Sequence, residues 1–526
     1  MIDIKLIRDN PDAVKRAAAD KNMTVDIDRI LAVDARRREL ETEFNELRRG
    51  QKDAGETIPV VQRVQGESAK HILETAKRLQ QQFEASPSLR HLLRQQNEQI
   101  SAAMKPVIEK FRQMQEATEP ISRLYQQMMQ DSAPMRKAFA EQYQRIQESL
   151  ARVTKSIIQA TEPLKNRLKE IDTERESIDA ELHELMLLVP QIPHPDAPVG
   201  PTEESNVEVR RVGQPRPANE FGFELKDHLD LGNALGLMDI ERGVKLAGSR
   251  NYVLTGRGAQ LHEAVLRLAW DIMLQRRFGK PGDPSTKLSF QPLTVPPLVN
   301  DKLMYGTGFF PLHRDEVYLC ERDGQSLVGT AEVPVTGLHG DEILEADEMP
   351  KLYFARSTCF RREAGAGGQD TRGLYRIHYF DKIEQVVVCQ ANAEESAYWH
   401  EVIISNSEAV LQALGLPYRL VEVCTGEMGQ GKHRMFDLET WMPSRQAYSE
   451  THSASSFHDF QARRLNLRYR NAETGKPEFC HTLNNTVVAS PRILIPLLEL
   501  NQNADGTVTI PPALRPYMNG QELLKP

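Results

Sequence analysis

The sequence is short of cysteine and has no long apolar stretch. Its five cysteines, spread over 526 residues, form no C-x-x-C pair, which argues against a disulfide framework and against a cysteine zinc site. No run reaches the roughly 18 apolar residues of a membrane-spanning helix, and the start MIDIKLIRDNPDAV lacks the basic-then-apolar order of a signal peptide. We therefore expect a cytoplasmic protein with reduced thiols, no zinc and no membrane contact.

The sequence also lacks an excess of positive charge. Its 66 basic and 74 acidic residues give a formal net charge of -8, which excludes binding to nucleic acid by overall charge alone. Any contact with nucleic acid must come from local basic patches. The length of 526 residues exceeds what one hydrophobic core usually covers, so more than one domain is expected.

Glycine is absent from residues 67–199, and the composition here is that of long helices, rich in Gln, Glu, Arg, Leu and Ala. The stretch LVPQIPHPDAPVGP (188–201) then holds five prolines, which end a helix. From about residue 206 short apolar runs alternate with Gly, Pro and Asn, mostly without intervening helices. The sequence predicts a helical N-terminal region over 1–205 and an α+β domain with a largely antiparallel sheet over 206–526.

Two ladders in the helical region step by three and four residues, the spacing of helices that pack along one seam. The first is Ile30, Val33, Arg37, Leu40, Phe44 and Leu47, and the second is Leu164, Leu168, Ile171, Arg175, Ile178, Leu182, Leu185 and Val189. They predict an antiparallel coiled-coil arm with an inserted tip at about residues 55–155. ATEP occurs at 117–120 and at 160–163, as a packing break or a hinge. The pattern leaves open whether the arm is an oligomerisation element, a spacer or a binding device.

Two glycine-rich segments resemble nucleotide-binding loops without meeting their requirements. GEMGQGKH (426–433) has the glycines and the lysine of a P-loop, but His433 stands where a Ser or Thr must bind magnesium, and a strand-like run follows. GAGGQD (365–370) lacks the strand-to-helix context of a dinucleotide fold. No redox cofactor is therefore expected.

The segment CFRREAGAGGQDTRGLYRIHYFDKIE (359–384) joins two strand-like runs through a charged, glycine-rich loop. Arg361 suits bidentate pairing with a phosphate, Glu363 suits a base edge, and Phe380 offers a stacking face. Each residue also has a structural interpretation, since an Arg–Glu pair at a strand end is usually a surface ion pair and a strand Phe is usually core. Together they favour a nucleoside triphosphate site.

This segment resembles the second signature of class II aminoacyl-tRNA synthetases in its seryl form. Four other segments are similar to the same family: VPPLVNDKLMYGTGFFP (295–311), with Pro297 in the dimer-forming first signature, GTAEVPVTGLH (329–339), ETHSASSFHDFQARR (450–464) and HTLNNTVVASPRILIPLLE (481–499). The resemblance extends to the N-terminal helical region and leaves out roughly residues 55–155. It implies activation of serine with ATP and transfer to tRNA, and the class I signatures HIGH and KMSKS are absent.

The resemblance implies a role for particular residues. The serine site would consist of Thr330, Ala331, Glu332, Glu384 and Thr486. The ATP site would consist of Arg361, Arg362, Glu363, Ile377, Phe380, Glu450, Thr451, His452, Ser453 and Arg492. Within these sets Glu450 and Ser453 would hold Mg²⁺ with ATP. Arg361, Glu384 and Arg492 would carry the catalytic positioning and charge stabilisation.

The same resemblance implies a homodimer whose arm grips tRNA(Ser), and also tRNA(Sec). Two departures from the family bear on the site: Val487 replaces a usual glycine, and His452 lies within ETHS, where we expect a tolerated loop residue rather than a new base. Two other functions stay open, a scaffold that has lost aminoacylation and an enzyme that loads an amino acid onto a carrier protein. The enlarged arm argues against the carrier, and the retained Arg361 and Glu384 argue against the scaffold.

Overall fold

The computed structural model describes residues 1–64, 133–365 and 372–525. They fall into two compact units. The helical unit is Asp28–Glu184, and the sheet unit combines Met1–Ile27 with Leu185–Pro526. The division expected near residue 205 stays a prediction.

The α-helices of the described residues include several short ones and four of 19 residues or more. They are α1 (Ile4–Asp9), α2 (Pro11–Asp20), α3 (Ile27–Val64), α4 (Ala133–Leu188), α5 (His228–Ala234), α6 (Ile240–Ala247), α7 (Arg257–Gln275), α8 (Asp301–Thr307), α9 (Glu332–Thr336), α10 (Ala393–Leu414), α11 (Phe460–Leu465) and α12 (Leu494–Leu500). None of these described helices is long and apolar enough to cross a membrane.

The strands of the described residues lie in the sheet unit. They are β1 (Val207–Val212), β2 (Met238–Asp239), β3 (Val253–Leu254), β4 (Phe278–Lys280), β5 (Asp283–Leu288), β6 (Gln291–Leu293), β7 (Leu298–Asn300), β8 (Leu319–Cys320), β9 (Gln325–Leu327), β10 (Ile343–Glu345), β11 (Lys351–Phe360), β12 (Tyr379–Cys389), β13 (Tyr418–Glu422), β14 (Arg434–Met442), β15 (Ala447–His458), β16 (Arg468–Arg470), β17 (Pro477–Phe479), β18 (His481–Ser490), β19 (Val508–Thr509) and β20 (Leu523–Leu524). Eight form the main sheet, in the order β1-β13-β14-β15-β18-β12-β11-β6. All its pairs are antiparallel except β6 with β11, which confirms the predicted α+β class.

The helical unit contains the predicted antiparallel pair, α3 with α4. Its core holds Leu40, Leu47, Leu164, Leu168 and Ile171, all at predicted ladder positions. Among the ion pairs that join the two helices in the described residues, three are regularly spaced, Arg29–Glu181, Arg36–Glu174 and Arg167–Glu43, at 2.5, 2.7 and 2.7 Å. The pairs recur every seven residues, in opposite directions along the two helices, which fixes an antiparallel register. Exposed pairs contribute only about 0.2–1 kcal/mol each, so most of the stability comes from the apolar seam.

The two arginines in the predicted seam, Arg37 and Arg175, each contact a side chain of the opposite helix. Arg37 lies 3.9 Å from Asp179, and the Arg175 guanidinium lies over the Phe44 ring at 4.9 Å. The copy of ATEP at 160–163 lies inside α4, which continues through Pro163. The copy at 117–120, with most of the proposed tip at 55–155, falls outside the described residues.

The core of the sheet unit lies between the main sheet and helices α7 and α10. Asn392 caps α10 by accepting from the Glu395 amide, and Gly415 ends it in the left-handed conformation that favours glycine. The buried face of α10 carries Trp399 against the sheet. Ser407, on the same helix, donates to the Thr486 carbonyl at 2.7 Å and so holds β18 in place. The helix therefore positions the middle of β18, where the candidate site lies.

Candidate active site

The opposite face of the main sheet, at β11, β12, β15 and β18, carries a polar cleft. Alternate residues of a strand share one face, so β12 directs Phe380, Lys382 and Glu384 to the cleft. The register of β18 shifts by one residue between Ile383 and Glu384 of β12, which brings Thr486 opposite Glu384. These four side chains all line the cleft.

Arg361 follows the end of β11 and lines the cleft. Its amide donates to the His378 carbonyl at 2.8 Å, which continues the hairpin by one pair beyond the strands. Its guanidinium lies 5.2 Å from the centre of the Phe380 ring. Ile377 lines the same end of the cleft. The arrangement offers a cation beside an aromatic ring, as expected for a site that binds a phosphate joined to a base.

Glu363 also lines the cleft, in a strained backbone conformation. Its φ of 53° lies in the left-handed region, which a non-glycine residue adopts uncommonly. Its carboxylate pairs with Arg376 at 3.0 Å. Arg362, predicted for the same site, donates to the Asp315 carbonyl at 2.9 Å instead and is not among the residues that line the cleft. The middle of this loop, 366–371, which includes most of GAGGQD, is outside the described residues.

A buried polar cluster occupies the centre of the cleft. The Lys382 ammonium lies 2.5 Å from a Glu384 carboxylate oxygen and 3.3 Å from the Thr486 hydroxyl. Glu332, at the start of α9, accepts from the Gln461 amide at 2.7 Å. Thr330 lines the cleft close to Glu332, whereas Ala331 packs into an apolar core behind it. Two carboxylates and one ammonium thus face a common space.

Burial, and then the nearby negative charge of Glu384, raise the pKa of Glu332 to about 7. A cation in the cleft would lower this pKa again, because it favours the charged carboxylate. The cluster is therefore suited to a small ligand that carries a positive charge.

A second acidic group lies where β14 pairs with β15. Asp437 is opposite Ser453, and Glu450 lies near it on β15. Burial, and then Glu450, hold the pKa of Asp437 well above its ordinary value. One Asp437 carboxylate oxygen has no hydrogen-bond partner among the described residues. Two carboxylates and a hydroxyl are oxygen donors of the kind that bind Mg²⁺, so these residues fit a divalent cation.

Arg492 reaches the same end of the cleft from beyond β18. Its guanidinium donates to the Tyr375 and Glu450 carbonyls at 3.0 and 3.2 Å. It lies over the Tyr375 ring at 4.4 Å, as does Arg445. Thr451 lines the cleft beside it. The structure thus gathers Arg361, Glu450 and Arg492, which are far apart in sequence, at one end of the cleft.

Two departures noted in the sequence lie away from the cleft space. His452 is a buried residue of β15, not a loop residue, and its ring nitrogen contacts the Thr451 hydroxyl at 2.8 Å. Burial lowers the pKa of His452 to about 3, so the ring is neutral near pH 7. Val487 is fully buried in the main core. The valine therefore fills the core, and its neighbour Thr486 faces the cleft.

The sequence interpretation missed several residues in or next to the cleft, among them Lys382 and Glu316, which line it, Gln461, which donates to Glu332, and Asp437, opposite Ser453. Glu316 accepts from the Ala364 and Gly365 amides at 3.0 and 2.8 Å and so holds the start of the loop after β11. Lys382 and Gln461 stand inside quoted segments, FDKIE and FHDFQARR. Lys382 could have been identified from the sequence, because it stands two residues before Glu384 in a predicted strand and so lies on the same face.

One further group in the described residues has donor atoms close enough to share a metal ion: His262, Glu263 and Asp381. Arg356 already pairs with both carboxylates, at 2.7 Å to Glu263 and 2.9 Å to Asp381. The Arg356 guanidinium lies between the two acids and offsets part of their charge, so this group is an ion-pair network behind the sheet.

Comparison with protein families matches both parts of the chain. The tRNA synthetase class II core domain (G, H, P, S and T) matches residues 318–501, which include the cleft strands. The seryl-tRNA synthetase N-terminal domain matches residues 1–109. The fold and the site therefore define a class II aminoacyl-tRNA synthetase.

Individual relatives narrow the class. A serine–tRNA ligase of Deinococcus radiodurans is 47% identical over 70% of this chain and 83% of its own length. One from Symbiobacterium thermophilum is 34% identical over 98% of each chain. The crystal structure of seryl-tRNA synthetase from Pyrococcus horikoshii complexed with ATP covers 100% of both chains with a TM-score of 0.73 and 29% identity. The chain belongs to the seryl-tRNA synthetase family.

Proposed function

We propose that this chain is a serine–tRNA ligase, which activates L-serine with ATP and transfers the serine to tRNA(Ser). The observation that carries the proposal is the cleft of the sheet unit. A buried, net acidic cluster of Glu332, Glu384 and Lys382 adjoins a phosphate-binding end with Arg361 and Arg492. Family membership supports the same function.

In the first step, a serine carboxylate oxygen attacks the α-phosphorus of ATP, and diphosphate leaves. Glu332 and Glu384 hold the serine ammonium, and Thr330 and Thr486 supply polar contacts beside it. Arg361 pairs with the carboxylate and the α-phosphate, which brings the two reacting groups together. Catalysis by this chain is therefore mainly positioning and charge stabilisation.

The nucleotide lies at the other end of the cleft. Phe380 stacks on the adenine, with Ile377 beside it, and Glu363 accepts a hydrogen bond from the base. The ion pair with Arg376 holds the Glu363 carboxylate in place. Arg492 contacts the γ-phosphate and offsets the charge of the departing diphosphate.

Mg²⁺ accompanies ATP in this proposal. Glu450 and Ser453 would hold the ion, with Asp437 as a further oxygen donor, and the ion would offset phosphate charge. The unpartnered Asp437 oxygen is the feature of the described residues that supports this assignment. No zinc and no redox cofactor are part of the proposal.

In the second step, a terminal hydroxyl of the tRNA attacks the acyl carbon of seryl-adenylate, and AMP leaves. The helical unit, within the N-terminal region 1–205, grips the tRNA through the shape and phosphates of the RNA. The same proposal includes transfer of serine to tRNA(Sec). It also includes a homodimeric assembly and a cytoplasmic location. The Symbiobacterium relative aligns with 98% of this chain and of its own length, so the enlarged arm also occurs in another serine–tRNA ligase.

The function is tested by amino-acid-dependent exchange of diphosphate into ATP, followed by transfer to tRNA. We expect exchange with serine and little with alanine or threonine, then charging of tRNA(Ser). Absence of serine-dependent exchange would contradict the enzyme assignment. Exchange without transfer to tRNA would favour an enzyme that loads a carrier protein.

Deleting residues 60–150 tests the arm. We expect serine exchange to stay unchanged, because the cleft lies in the sheet unit, and kcat/KM for tRNA to fall about tenfold, or ~1.4 kcal/mol. Steady-state aminoacylation with varied tRNA measures the change. The undeleted chain is the control, and unchanged charging kinetics would show that the tip makes no functional contact with tRNA.

A further inference from the structure

We propose that Lys382 is a positioning residue that determines amino-acid specificity: its ammonium fixes the Thr486 hydroxyl as an acceptor for the substrate hydroxyl and holds Glu384 for the substrate ammonium. The inference rests on the proposed function, because it concerns how the same pocket selects serine. The site residues that the family resemblance implies do not include Lys382, so they assign it neither of these two roles.

The contacts of Lys382 form a closed triangle. Its ammonium lies 2.5 Å from Glu384 and 3.3 Å from Thr486, and the Thr486 hydroxyl lies 3.4 Å from the same Glu384 oxygen. The Lys382 and Glu384 side chains are only 7% and 3% exposed. Ser407 holds the Thr486 backbone from behind, through its carbonyl. A buried ion pair with few alternative positions is a rigid reference for a ligand.

The triangle gives the Thr486 hydroxyl a direction. An ammonium group can only donate hydrogen bonds, so the Thr486 oxygen must accept from Lys382. The Thr486 proton then points to Glu384, which as a carboxylate only accepts. One lone pair of the Thr486 oxygen is left for a donor in the cleft. A serine hydroxyl supplies this donor, whereas alanine leaves the position unpaired.

Lys382 also sets the charge of the pocket. Glu332 and Glu384 bring two negative charges, and Lys382 brings one positive charge, so a substrate ammonium completes the balance. Lys432 also lines the cleft, and its positive charge lowers the pKa of Glu332 less than the charge of Lys382 does. Without Lys382, repulsion between the carboxylates favours a proton on one of them. The pocket would then hold the substrate ammonium less tightly, above all at low pH.

The main test is Lys382→Met, which removes the charge and the donor but keeps the length of the side chain. We expect the serine KM in ATP–diphosphate exchange to rise about 30-fold, while the KM for ATP stays within about twofold. The ratio of kcat/KM for serine to that for alanine should fall at least about tenfold. In this variant the serine KM should rise as the pH is lowered, most steeply between about pH 8 and pH 6, because one of the two carboxylates, Glu332 or Glu384, takes up a proton in this range.

A second variant separates the two roles. Lys382→Gln still donates to Thr486 but carries no charge, so the serine KM should rise while most of the serine-to-alanine ratio is kept. A Gln variant that loses the ratio as fully as the Met variant would overturn the role in directing the hydroxyl. The pair Lys382→Met and Thr486→Ala should be non-additive in this ratio, and additive losses would also overturn that role.

Lys351→Met is the matched control, since Lys351 lies on β11 of the same sheet, outside the cleft, and pairs only with Glu348 in the contacts the structure describes. We expect it to match the unaltered enzyme in all these assays. Equal losses of kcat/KM for serine, alanine and ATP in Lys382→Met would show a merely structural lysine and overturn the proposal. If the unaltered enzyme exchanges no diphosphate with serine, the proposed function fails. If it does so and Lys382→Met behaves identically, only the present inference fails.

Discussion

Replacing Arg361 with alanine is expected to reduce serine-dependent ATP–diphosphate exchange by about 10³-fold or more, or ~4 kcal/mol. The proposed function places Arg361 between the substrate carboxylate and the α-phosphate, and no other guanidinium among the described residues lines both parts of the cleft. The loss should appear chiefly in kcat, because the arginine pairs with charge that develops in the transition state. Exchange assays at saturating serine and ATP measure it.

The fold should survive this substitution. Arg361 is exposed, and its main-chain hydrogen bonds, from its amide to the His378 carbonyl and between its carbonyl and the His378 ring, are retained in alanine. The contact with the Phe380 ring contributes about 0.5–1 kcal/mol at an exposed site. Arg277→Ala, an exposed arginine outside the cleft, is the control and should leave exchange unchanged. Retained exchange in Arg361→Ala, with an unaltered melting profile, would remove Arg361 from the catalytic role.

Much of the fold was predictable because the deciding signals are local in sequence. The ladder from Ile30 to Leu47 predicted a buried seam, and the structure confirms it at Leu40 and Leu47. The prolines of 188–201 predicted the end of α4, which falls at Leu188. The run ending at Phe360 was predicted as a strand and is β11. Periodicity and proline act within a few residues, so sequence reasoning captures them.

The site was only partly accessible to the same reasoning, since its contacts join distant strands. Gln461 meets Glu332 across 129 positions of sequence, and the Thr482 hydroxyl donates to the same glutamine. Asp437 meets Ser453 only through the pairing of β14 with β15. Val487, where the family commonly has glycine, was expected to bear on the site, but the register shift of β18 directs it into the core. These contacts depend on strand register, which cannot be predicted from any one segment of the sequence because it is set by the pairing of distant strands.

Glu384→Gln is expected to lower kcat/KM for serine by about 10²–10³-fold, with little effect on the KM for ATP. Glutamine keeps the shape of the side chain but loses the charge to which the proposed function assigns the serine ammonium. Lys382 also loses its charged partner inside the protein, which should lower the free energy of unfolding by about 2 kcal/mol. Exchange kinetics with varied serine and the thermal midpoint measure the two effects separately.

A double variant distinguishes loss of function from loss of stability. Lys382→Met combined with Glu384→Gln removes both charges of the buried pair, so no unpaired ammonium remains. We expect the thermal midpoint to return most of the way to that of the unaltered chain, because joint replacement of a buried ion pair by uncharged groups is often neutral. Serine exchange should stay low, because Glu384 no longer binds the ammonium. Recovery of exchange together with stability would mean that the Glu384 charge serves the fold rather than serine, whereas recovery of stability alone assigns it to substrate binding.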